Sequence, residues 1–398
     1  MKIAIVCYPT YGGSGVVATE LGRFLAQRGH EVHFISSSMP FRLQHSPETN
    51  ITFHEVPTMN YDVLNGNLYG IALASKIIQV VKDYHLEIVH VHYAVPHAIS
   101  AFLARSALGK NEYPFKVVTT LHGTDITLTG RAPSFFPIVT YAINGSDAVT
   151  SVSQWLKDET IREFDIKRPI DVISNFVDVQ QFRRGLNPCK RSYFAPNGES
   201  VLLHISNFRP VKRIPDVIEV FNRVQKKQPA VLVMVGDGPE KEAAAEQARR
   251  LGLLNKIRFL GKQDDIEYFM SCADVFLFPS EYESFGLAAL EAMSCELPVV
   301  ASNGGGLKEV IHHGETGLLA NVGDVEAMTD HALTLLNDTA LARKIGRQAR
   351  ESVLQQYVPE LIIPQYEALY QRVLTETSLV APMEFNIVDP NLAYAEGI

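Results

Sequence analysis

The feature that most constrains the fold of this chain is a repeated alternation of apolar, strand-like runs with longer helical segments. In the first half the runs are KIAIVCY, HEVHFIS, EIVHVHY, KVVTTLH, DAVTSVS and DVISNF. Amphipathic stretches such as VVATELGRFLAQRG lie between them. Strands that alternate with helices of this length are typical of βαβ units, so the sequence predicts a parallel sheet.

The same alternation begins again after a polar, turn-rich break. After Phe176-Val177-Asp178 the chain continues as QQFRRGLNPCKRSYFAPNGES, and strand-like runs return with VLLHIS, AVLVMVG, KIRFLG, DVFLFPS and PVVAS. At 398 residues the chain is long enough for two domains. The sequence therefore predicts an α/β protein with two doubly wound, Rossmann-like domains that face each other across a cleft.

The predicted boundaries follow from the break and from the last helical pattern. We expect a first domain at 1–178, a linker at 179–199 and a second domain at 200–360. A helix at 361–380 is expected to return toward the first domain. The acidic tail at 381–398 has only weak periodicity, and no structure is predicted for it.

Composition argues against several classes of protein. Charged residues make up 20% of the chain and the formal net charge is −8, whereas a nucleic-acid binder presents a basic face. No segment approaches the length of a membrane span, and the first apolar run is too short for a signal peptide. The cysteines, Cys7, Cys189, Cys272 and Cys295, have no CxxC spacing. We therefore expect reduced thiols in a cytoplasmic protein, with neither a disulfide framework nor a zinc site.

The first predicted βα loop is rich in glycine. Gly13-x-Gly15-x-x-Ala18 fits the dinucleotide fingerprint, in which glycines let backbone amides approach a phosphate at a helix N terminus. A dinucleotide site also needs an acid about 20 residues further on, at the end of the second strand. That strand, HEVHFISSS, ends in serines. A loop that contacts some other phosphate or small ligand is therefore favoured, and a purely structural turn remains the alternative.

Three cations follow the first strand of the second half. They lie in Ser206-Asn207-Phe208-Arg209-Pro210-Val211-Lys212-Arg213, at the carboxyl end of a strand, where open α/β sheets bind ligands. Arg209 and Lys212 are three residues apart, so both can point at one anion. A diphosphate suits an arginine and a lysine in this arrangement. A solvated surface cluster is the alternative.

A second polar turn follows the strand-like run VFLF and holds two carboxylates around a helix start. Glu283 and Glu291 are eight residues apart, and Phe285-Gly286-Leu287 lie between them. Backbone amides at a helix start favour an anion. One acid can accept hydrogen bonds from sugar hydroxyls and the other from a ribose. Taken alone, Glu291 is equally compatible with an ordinary surface helix.

Together these segments resemble the GT-B glycosyltransferases, and within them the retaining family 4. R-P-V-K at Arg209–Lys212 is similar to the R-x-x-K of that family, and E-S-F-G-L-A-A-L-E at Glu283–Glu291 matches its E-x₇-E. NGGGLKEVI and GETGLL follow where the family has G-G-x-x-E and G-x-x-G-x-L. In the first half, CYPTYGGSGVVATELG, HVHYAVPHA and TTLHGTDITLTG resemble the members that form glucosaminyl-malate in bacillithiol biosynthesis. The resemblance covers nearly the whole chain.

The resemblance implies transfer of N-acetylglucosamine from UDP-N-acetylglucosamine (UDP-GlcNAc) to the hydroxyl of L-malate, with retention of configuration by a front-face mechanism. It implies that Arg209 and Lys212 hold the diphosphate, that Glu283 orients the sugar, and that His122 meets the sugar near its reacting face. Further expected donor contacts are Gly15, Ser206, Phe285, Gly286, Leu287 and Glu291.

The acceptor side is expected to use short polar side chains and one cation. The candidates are Ser14, Tyr93, Thr120 and Arg131. Asp125 is unsuited to an anionic acceptor, and we expect it to hold its own loop by local hydrogen bonds.

The sequence predicts no metal and no other cofactor. It contains no D-x-D motif, so charge neutralisation is expected from Arg209 and Lys212. His90 and His92 share a strand face, but no third ligand is near them in the sequence. The alternatives are a UDP-sugar epimerase, a transferase to another acceptor such as a lipid or inositol phosphate, and a non-catalytic nucleotide-sugar sensor. Self-association into a homo-oligomer stays open.

Overall fold

Parallel strands form the centre of each half of the chain. The computed structural model describes residues 1–10, 12–44, 47–57, 68–109, 112–186 and 189–376. The strands of the first half are β1 (Lys2–Val6), β2 (Glu31–Ser36), β3 (Ile51–Glu55), β4 (Ile88–His92), β5 (Lys116–Leu121), β6 (Ala148–Ser151) and β7 (Ile170–Val172). Those of the second half are β8 (Ser200–Ile205), β9 (Ala230–Val235), β10 (Ile257–Gly261), β11 (Val275–Phe278), β12 (Val299–Ser302) and β13 (Leu318–Ala320).

The order of the strands confirms the predicted doubly wound fold. The first sheet runs β3-β2-β1-β4-β5-β6-β7 and the second runs β10-β9-β8-β11-β12-β13. Neighbouring strands in both sheets are parallel. The order reverses at β1 in one sheet and at β8 in the other. Ligands of open α/β sheets bind outside the carboxyl ends of strands at such reversal points.

Helices connect the strands. In the first half they are α1 (Ser14–Gln27), α2 (Tyr69–Tyr84), α3 (Ile99–Leu108), α4 (Phe136–Gly145) and α5 (Gln154–Glu163). In the second half they are α6 (Ile214–Gln225), α7 (Lys241–Arg250), α8 (Ile266–Cys272), α9 (Leu287–Ser294), α10 (Leu307–Val310), α11 (Val325–Asn337), α12 (Thr339–Gln356) and α13 (Pro359–Thr375). Because helices cover the sheets, central strands are apolar throughout: all residues of β9 and β11 are buried.

The last helix, α13, packs against the first sheet, as the sequence predicts. Tyr366 and Tyr370 are fully buried there, within a core cluster that also holds Ile3 and Ile5 of β1. The Tyr370 hydroxyl lies 2.7 Å from His90 Nδ1 of β4. Residues 377–380 of the predicted helix and the tail at 381–398 lie outside the described residues. The domain boundaries at 178, 199 and 360 stay predictions.

The predicted linker at 179–199 is well packed, and it contains the main error of the sequence analysis. Val179 and Phe182 are buried in the core, and residues 187 and 188 lie outside the described part. Cys189 forms a disulfide with Cys272 at the end of α8, with 5.4 Å between their Cα atoms. The expectation of reduced thiols is therefore wrong for this pair. The two residues are 83 positions apart in sequence, so only the fold shows that they meet.

Candidate active site

The loops at the carboxyl ends of the two sheets face each other. We call the loops after β1, β4 and β5 the first-domain face, and those after β8, β11 and β12 the second-domain face. Most of the predicted site residues lie on these loops or in the first turn of the helix that follows. The exceptions are Thr120 in β5, Glu291 inside α9 and Arg131 beyond the turn after β5.

The second-domain face carries the two predicted diphosphate ligands. The Arg209 side chain is exposed, and within the described residues its guanidinium has no ion pair or hydrogen bond. Lys212 lies at the end of the short turn Pro210–Lys212, with its Nζ 2.5 Å from Glu283 Oε1. Both members of this pair are largely buried, with side chains 17% and 12% exposed. The structure thus joins two of the predicted catalytic residues, and within the described residues it leaves a third, Arg209, without a side-chain partner.

The loop that carries Glu283 is fixed by close contact with the glycines that follow β12. A Cβ added to Gly304 would lie 2.1 Å from the Glu281 carbonyl oxygen, and one added to Gly305 would lie 2.3 Å from that of Glu283. The Gly306 amide also donates to the Glu283 carbonyl at 2.7 Å. Two backbones can approach this closely only where side chains are missing. The NGGG segment therefore sets the position of Glu283.

Helix α9 begins directly after this loop. Its first residue, Leu287, follows Gly286, which has φ 96° and provides no side-chain cap. Phe285 is buried and contacts the Tyr357 ring edge-on, with centroids 5.7 Å apart. The buried ring anchors the turn, so the amides of the first turn of α9 keep a fixed direction. Such amides, with the helix dipole, favour an anion.

Glu291 lies inside α9 and pairs with neither Lys212 nor Glu283 within the described residues. It is buried, and its Oε1 accepts a hydrogen bond from Arg42 Nη2 at 3.0 Å. Arg42 also lies 3.7 Å from Glu20 and stacks over the Phe182 ring. Burial raises the pKa of Glu291, and the charge of Arg42 opposes this rise. The predicted ribose contact of Glu291 stays a prediction, now with a partner that sequence reasoning missed.

Ser206 shapes the turn that precedes Arg209. Its Oγ lies 2.8 Å from His204 Nε2 and accepts a hydrogen bond from the Phe208 amide at 3.3 Å. Its carbonyl oxygen would lie 1.8 Å from a Cβ on Gly236, so the loop after β9 packs tightly on this turn. The hydroxyl has local partners, and its donor contact stays a prediction.

The first-domain face brings three of the predicted residues together. Ser14 Oγ lies 2.7 Å from the Tyr93 hydroxyl, and the Tyr93 ring lies 5.3 Å from the His122 ring, centre to centre. Tyr93 has φ 100°, a conformation that residues other than glycine rarely adopt and that costs about 1–3 kcal/mol. Such strain persists only where the surrounding structure imposes it. Here it directs the ring between Ser14 and His122.

Gly15 has a structural reason to be glycine. A Cβ at this position would lie 2.5 Å from Thr10 Oγ1 and 2.8 Å from the Tyr8 carbonyl oxygen. Helix α1 can therefore start close against the loop after β1 only without a side chain here. Gly13, just before it, has φ 56° and open space around it. The first turn of α1 therefore has no side-chain cap, as at α9.

A buried imidazole contacts the His122 ring. His122 Nε2 lies 2.8 Å from His92 Nδ1, and burial lowers the pKa of His122 to about 3, so its ring is neutral at pH 7. Asp125 accepts hydrogen bonds from the amides of Ala94 and Gly123, both at 3.0 Å. These bonds tie the loop after β4 to the loop after β5, which confirms the expected structural role of Asp125. Within the described residues, no group of three or more potential ligands is placed to hold a metal ion.

Two residues predicted to contact the acceptor have other partners in the structure, and their acceptor contacts stay predictions. Thr120 is fully buried, and its Oγ1 lies 2.7 Å from His90 Nε2 and 2.6 Å from Thr150 Oγ1. Its hydroxyl is thus used inside the sheet, because alternation along β5 points it toward α13. Arg131 instead pairs through Nη2 with Glu159 at 2.5 Å and with Glu163 at 3.1 Å, both on α5. Within the described residues, its hydrogen bonds go to no other predicted site residue.

Comparison with known proteins agrees with the fold. The family described as "Glycosyltransferase Family 4" matches residues 11–181, and "Glycosyl transferases group 1" matches residues 189–352. The chain is 45% identical to the N-acetyl-alpha-D-glucosaminyl L-malate synthase of Bacillus anthracis over 377 residues, which cover 94% of this chain and 98% of that protein. It is 32% identical to a 2-deoxystreptamine N-acetyl-D-glucosaminyltransferase of Niallia circulans over 35% of this chain and 36% of that one.

Solved structures show the same fold. A glycosyltransferase from Rickettsia africae matches with a TM-score of 0.77 and 24% identity, over 94% of this chain and 99% of that one. Anabaena HepE, solved with UDP and glucose, matches with a TM-score of 0.78 and 22% identity, over 94% and 100%. Two Rossmann-like domains whose loops face each other form the GT-B fold. The chain belongs to glycosyltransferase family 4. Within the described residues, no helix has the length and hydrophobicity needed to cross a membrane.

Proposed function

We propose that this enzyme transfers N-acetylglucosamine from UDP-GlcNAc to the hydroxyl of L-malate, with retention, as in the first step of bacillithiol biosynthesis. The observation that carries the proposal is the 45% identity, over nearly its whole length, to a protein named for that product. The geometry supports it, since a free cation, a lysine–glutamate pair and two uncapped helix starts line one cleft.

Arg209 and Lys212 are proposed to bind the diphosphate of the donor. Arg209 is exposed and without a partner within the described residues, so it can take phosphate oxygens at no cost to an existing ion pair. Lys212 holds Glu283, and it can bind phosphate while it keeps that carboxylate oriented toward the sugar hydroxyls. Fixed donors aimed at developing charge are each worth about 10²–10³ in rate.

The proposed reaction needs no protein nucleophile. The bond between the anomeric carbon and the β-phosphate oxygen breaks, and the malate hydroxyl oxygen bonds to that carbon on the same face. The hydroxyl proton passes to the departing phosphate, so UDP leaves with it. His122, neutral because burial lowers its pKa to about 3, donates or accepts a hydrogen bond at the sugar and takes no charge.

The proposed reaction also needs no metal, since Arg209, Lys212 and the amides of α1 and α9 supply the positive potential. On the acceptor side, Ser14 and Tyr93 are the proposed contacts. Their hydroxyls already meet at 2.7 Å beside His122.

The test is purified protein with UDP-GlcNAc, with and without L-malate, and with EDTA throughout. We expect malate-dependent release of UDP and a product with the mass of glucosaminyl-malate, whose anomeric proton coupling is that of an α-glycoside. Release of UDP only with another acceptor would overturn the choice of malate. Loss of turnover in EDTA that is restored by a divalent ion would overturn metal independence. UDP binding without turnover on any acceptor would favour the nucleotide-sugar sensor.

A further inference from the structure

Helix α5 of the first domain begins directly against the second domain. The amides of Gln154 and Trp155, the first two of the helix, donate to the carboxylate of Glu309, at 2.9 and 2.6 Å. The third, Leu156, donates to Ser153 Oγ at 3.1 Å. All first-turn amides of α5 therefore have partners, two of them supplied by a residue from the other domain.

Glu309 is also held in place by contacts within the second domain. It lies in α10, which follows the NGGG segment, and its carbonyl oxygen accepts a hydrogen bond from the Tyr357 hydroxyl at 3.0 Å. A carboxylate at a helix N terminus is stabilised by the free amides and by the helix dipole. The partial burial of Glu309 and Trp155 strengthens this attraction, because less water screens it.

The same end of α5 also contacts the loop that carries Glu283. Ser153 Oγ donates to the Ser284 carbonyl oxygen at 2.5 Å. Ser284 in turn packs on Gly123, where a Cβ would lie only 1.7 Å from the Ser284 hydroxyl oxygen. Gly123 follows His122, and Ser284 follows Glu283. The contact between the domains thus lies one residue away from a predicted catalytic residue on each side.

We propose that Glu309 is a positioning residue: by capping α5 across the cleft it holds the two domains closed, with His122 and Glu283 at working distance. This role rests on sugar transfer by the family but not on malate as the acceptor. Reaction geometry is sensitive to such contacts, since a displacement of about 1 Å can cost about 10²-fold in rate.

Two substitutions remove this cap from opposite sides. Glu309→Gln leaves one hydrogen-bond acceptor for the two backbone amides of α5. It also places the NH₂ group of the glutamine against one of those amides. Gln154→Pro removes the first amide and leaves Glu309 intact. Proline is well tolerated at the first position of a helix, and Ser153 before it is already extended, at φ −157° and ψ 160°. Glu315→Gln is the matched control. It removes the same charge from the same domain, at a position that is exposed.

The experiment measures turnover, UDP affinity by calorimetry and the radius of gyration by solution scattering. We expect Glu309→Gln to lower kcat at least tenfold and to increase the radius of gyration. UDP affinity should stay within twofold, since the proposed side-chain ligands of UDP lie in the second domain. Gln154→Pro should change kcat and the radius in the same direction by less, and Glu315→Gln should match the wild type.

Unchanged kcat and radius in folded Glu309→Gln would overturn the proposal. A lower melting temperature with unchanged kcat and radius would also overturn it, because it would show a role in stability alone. Should Glu309→Gln fail to fold, Gln154→Pro decides by the same two readouts. The scattering and UDP-binding measurements need no acceptor, so a wrong choice of malate cannot be mistaken for a failure of the cap.

Discussion

The two faces of the cleft differ in how they carry charge. The second-domain face presents ionised groups, with Arg209 exposed and Lys212 paired with Glu283. The first-domain face presents hydroxyls and imidazoles that burial keeps neutral, since it lowers the pKa of His122 to about 3 and that of His97 to about 4. The charged side chains that suit a diphosphate thus lie on the second-domain face. The first-domain face offers hydroxyls, neutral rings and the backbone amides of α1.

The largest expected effect comes from removing charge on the second-domain face. Lys212→Ala takes away a proposed phosphate ligand and leaves Glu283, 12% exposed, without its partner. We expect kcat to fall by about 10³. Steady-state kinetics with the donor varied would measure it, and Lys227→Ala, which removes an exposed cation from the same domain, is the control. A loss below tenfold would place the diphosphate elsewhere.

The next effect concerns the ion pair between Arg42 of the first domain and Glu291 of the second. Arg42→Met leaves Glu291 buried without its positive partner, and breaking a buried pair costs about 3 kcal/mol or more. Because the pKa of Glu291 is raised by burial, loss of Arg42 should raise it further. Chemical unfolding should show the loss of stability, and Arg42→Met with Glu291→Gln should recover part of it. Equal stability of the single and double variants would show that the pair is not coupled.

The buried, neutral imidazoles of the first domain predict a dependence of stability on pH. Burial lowers the pKa of His90 to about 3 and that of His97 to about 4, whereas an unfolded histidine titrates near 6.5. Below pH 6.5 the histidines of the unfolded chain take up protons, whereas the buried rings of the folded chain stay neutral. Their contribution to the free energy of unfolding is therefore complete above pH 6.5 and is lost as the pH falls toward 4. Each such histidine contributes a slope of up to about 1.4 kcal/mol per pH unit.

Urea unfolding from pH 7.5 to 4.5 measures this slope. Burial raises the pKa of Asp125 to about 6, so its contribution to the slope has the opposite sign. Below pH 6 it offsets part of the slope that one histidine contributes. His90→Gln should reduce the slope, while a substitution of exposed His312 should leave it unchanged. A stability that does not change between pH 6.5 and 4.5 would contradict neutral, buried rings.

The smallest expected effect tests whether the Thr120 hydroxyl serves the core or contacts the acceptor. Thr120→Val removes the hydroxyl that meets His90 and Thr150. We expect a loss of about 1 kcal/mol in the free energy of unfolding and an unchanged KM for the acceptor. Thr120→Ser keeps the hydroxyl and serves as the control. A large rise in the acceptor KM in Thr120→Val, without a change in stability, would restore Thr120 to the acceptor site.

Sequence reasoning succeeded where local pattern decides structure. The alternation of strands and helices predicted both sheets, because burial on two faces requires apolar runs of strand length. It also placed Lys212 and Glu283 after the carboxyl ends of two strands, and their side chains meet because β8 and β11 are neighbours in the sheet. Glycines such as Gly305 could be recognised as part of a motif, but the reason for them, a carbonyl oxygen 2.3 Å from a Cβ, required coordinates.

Only the tertiary structure decided which partner each polar side chain has. The sequence by itself determined the two doubly wound domains, the returning helix and the basic and acidic loops of the cleft. It could not show that Arg42 meets Glu291, that Glu309 caps α5, that Cys189 meets Cys272 or that Thr120 faces the core. The physical reason is that periodicity reports which face of an element is buried, whereas these partners come from segments about 30 to 250 residues apart. Their contacts depend on how sheets and domains pack, and no local pattern encodes that.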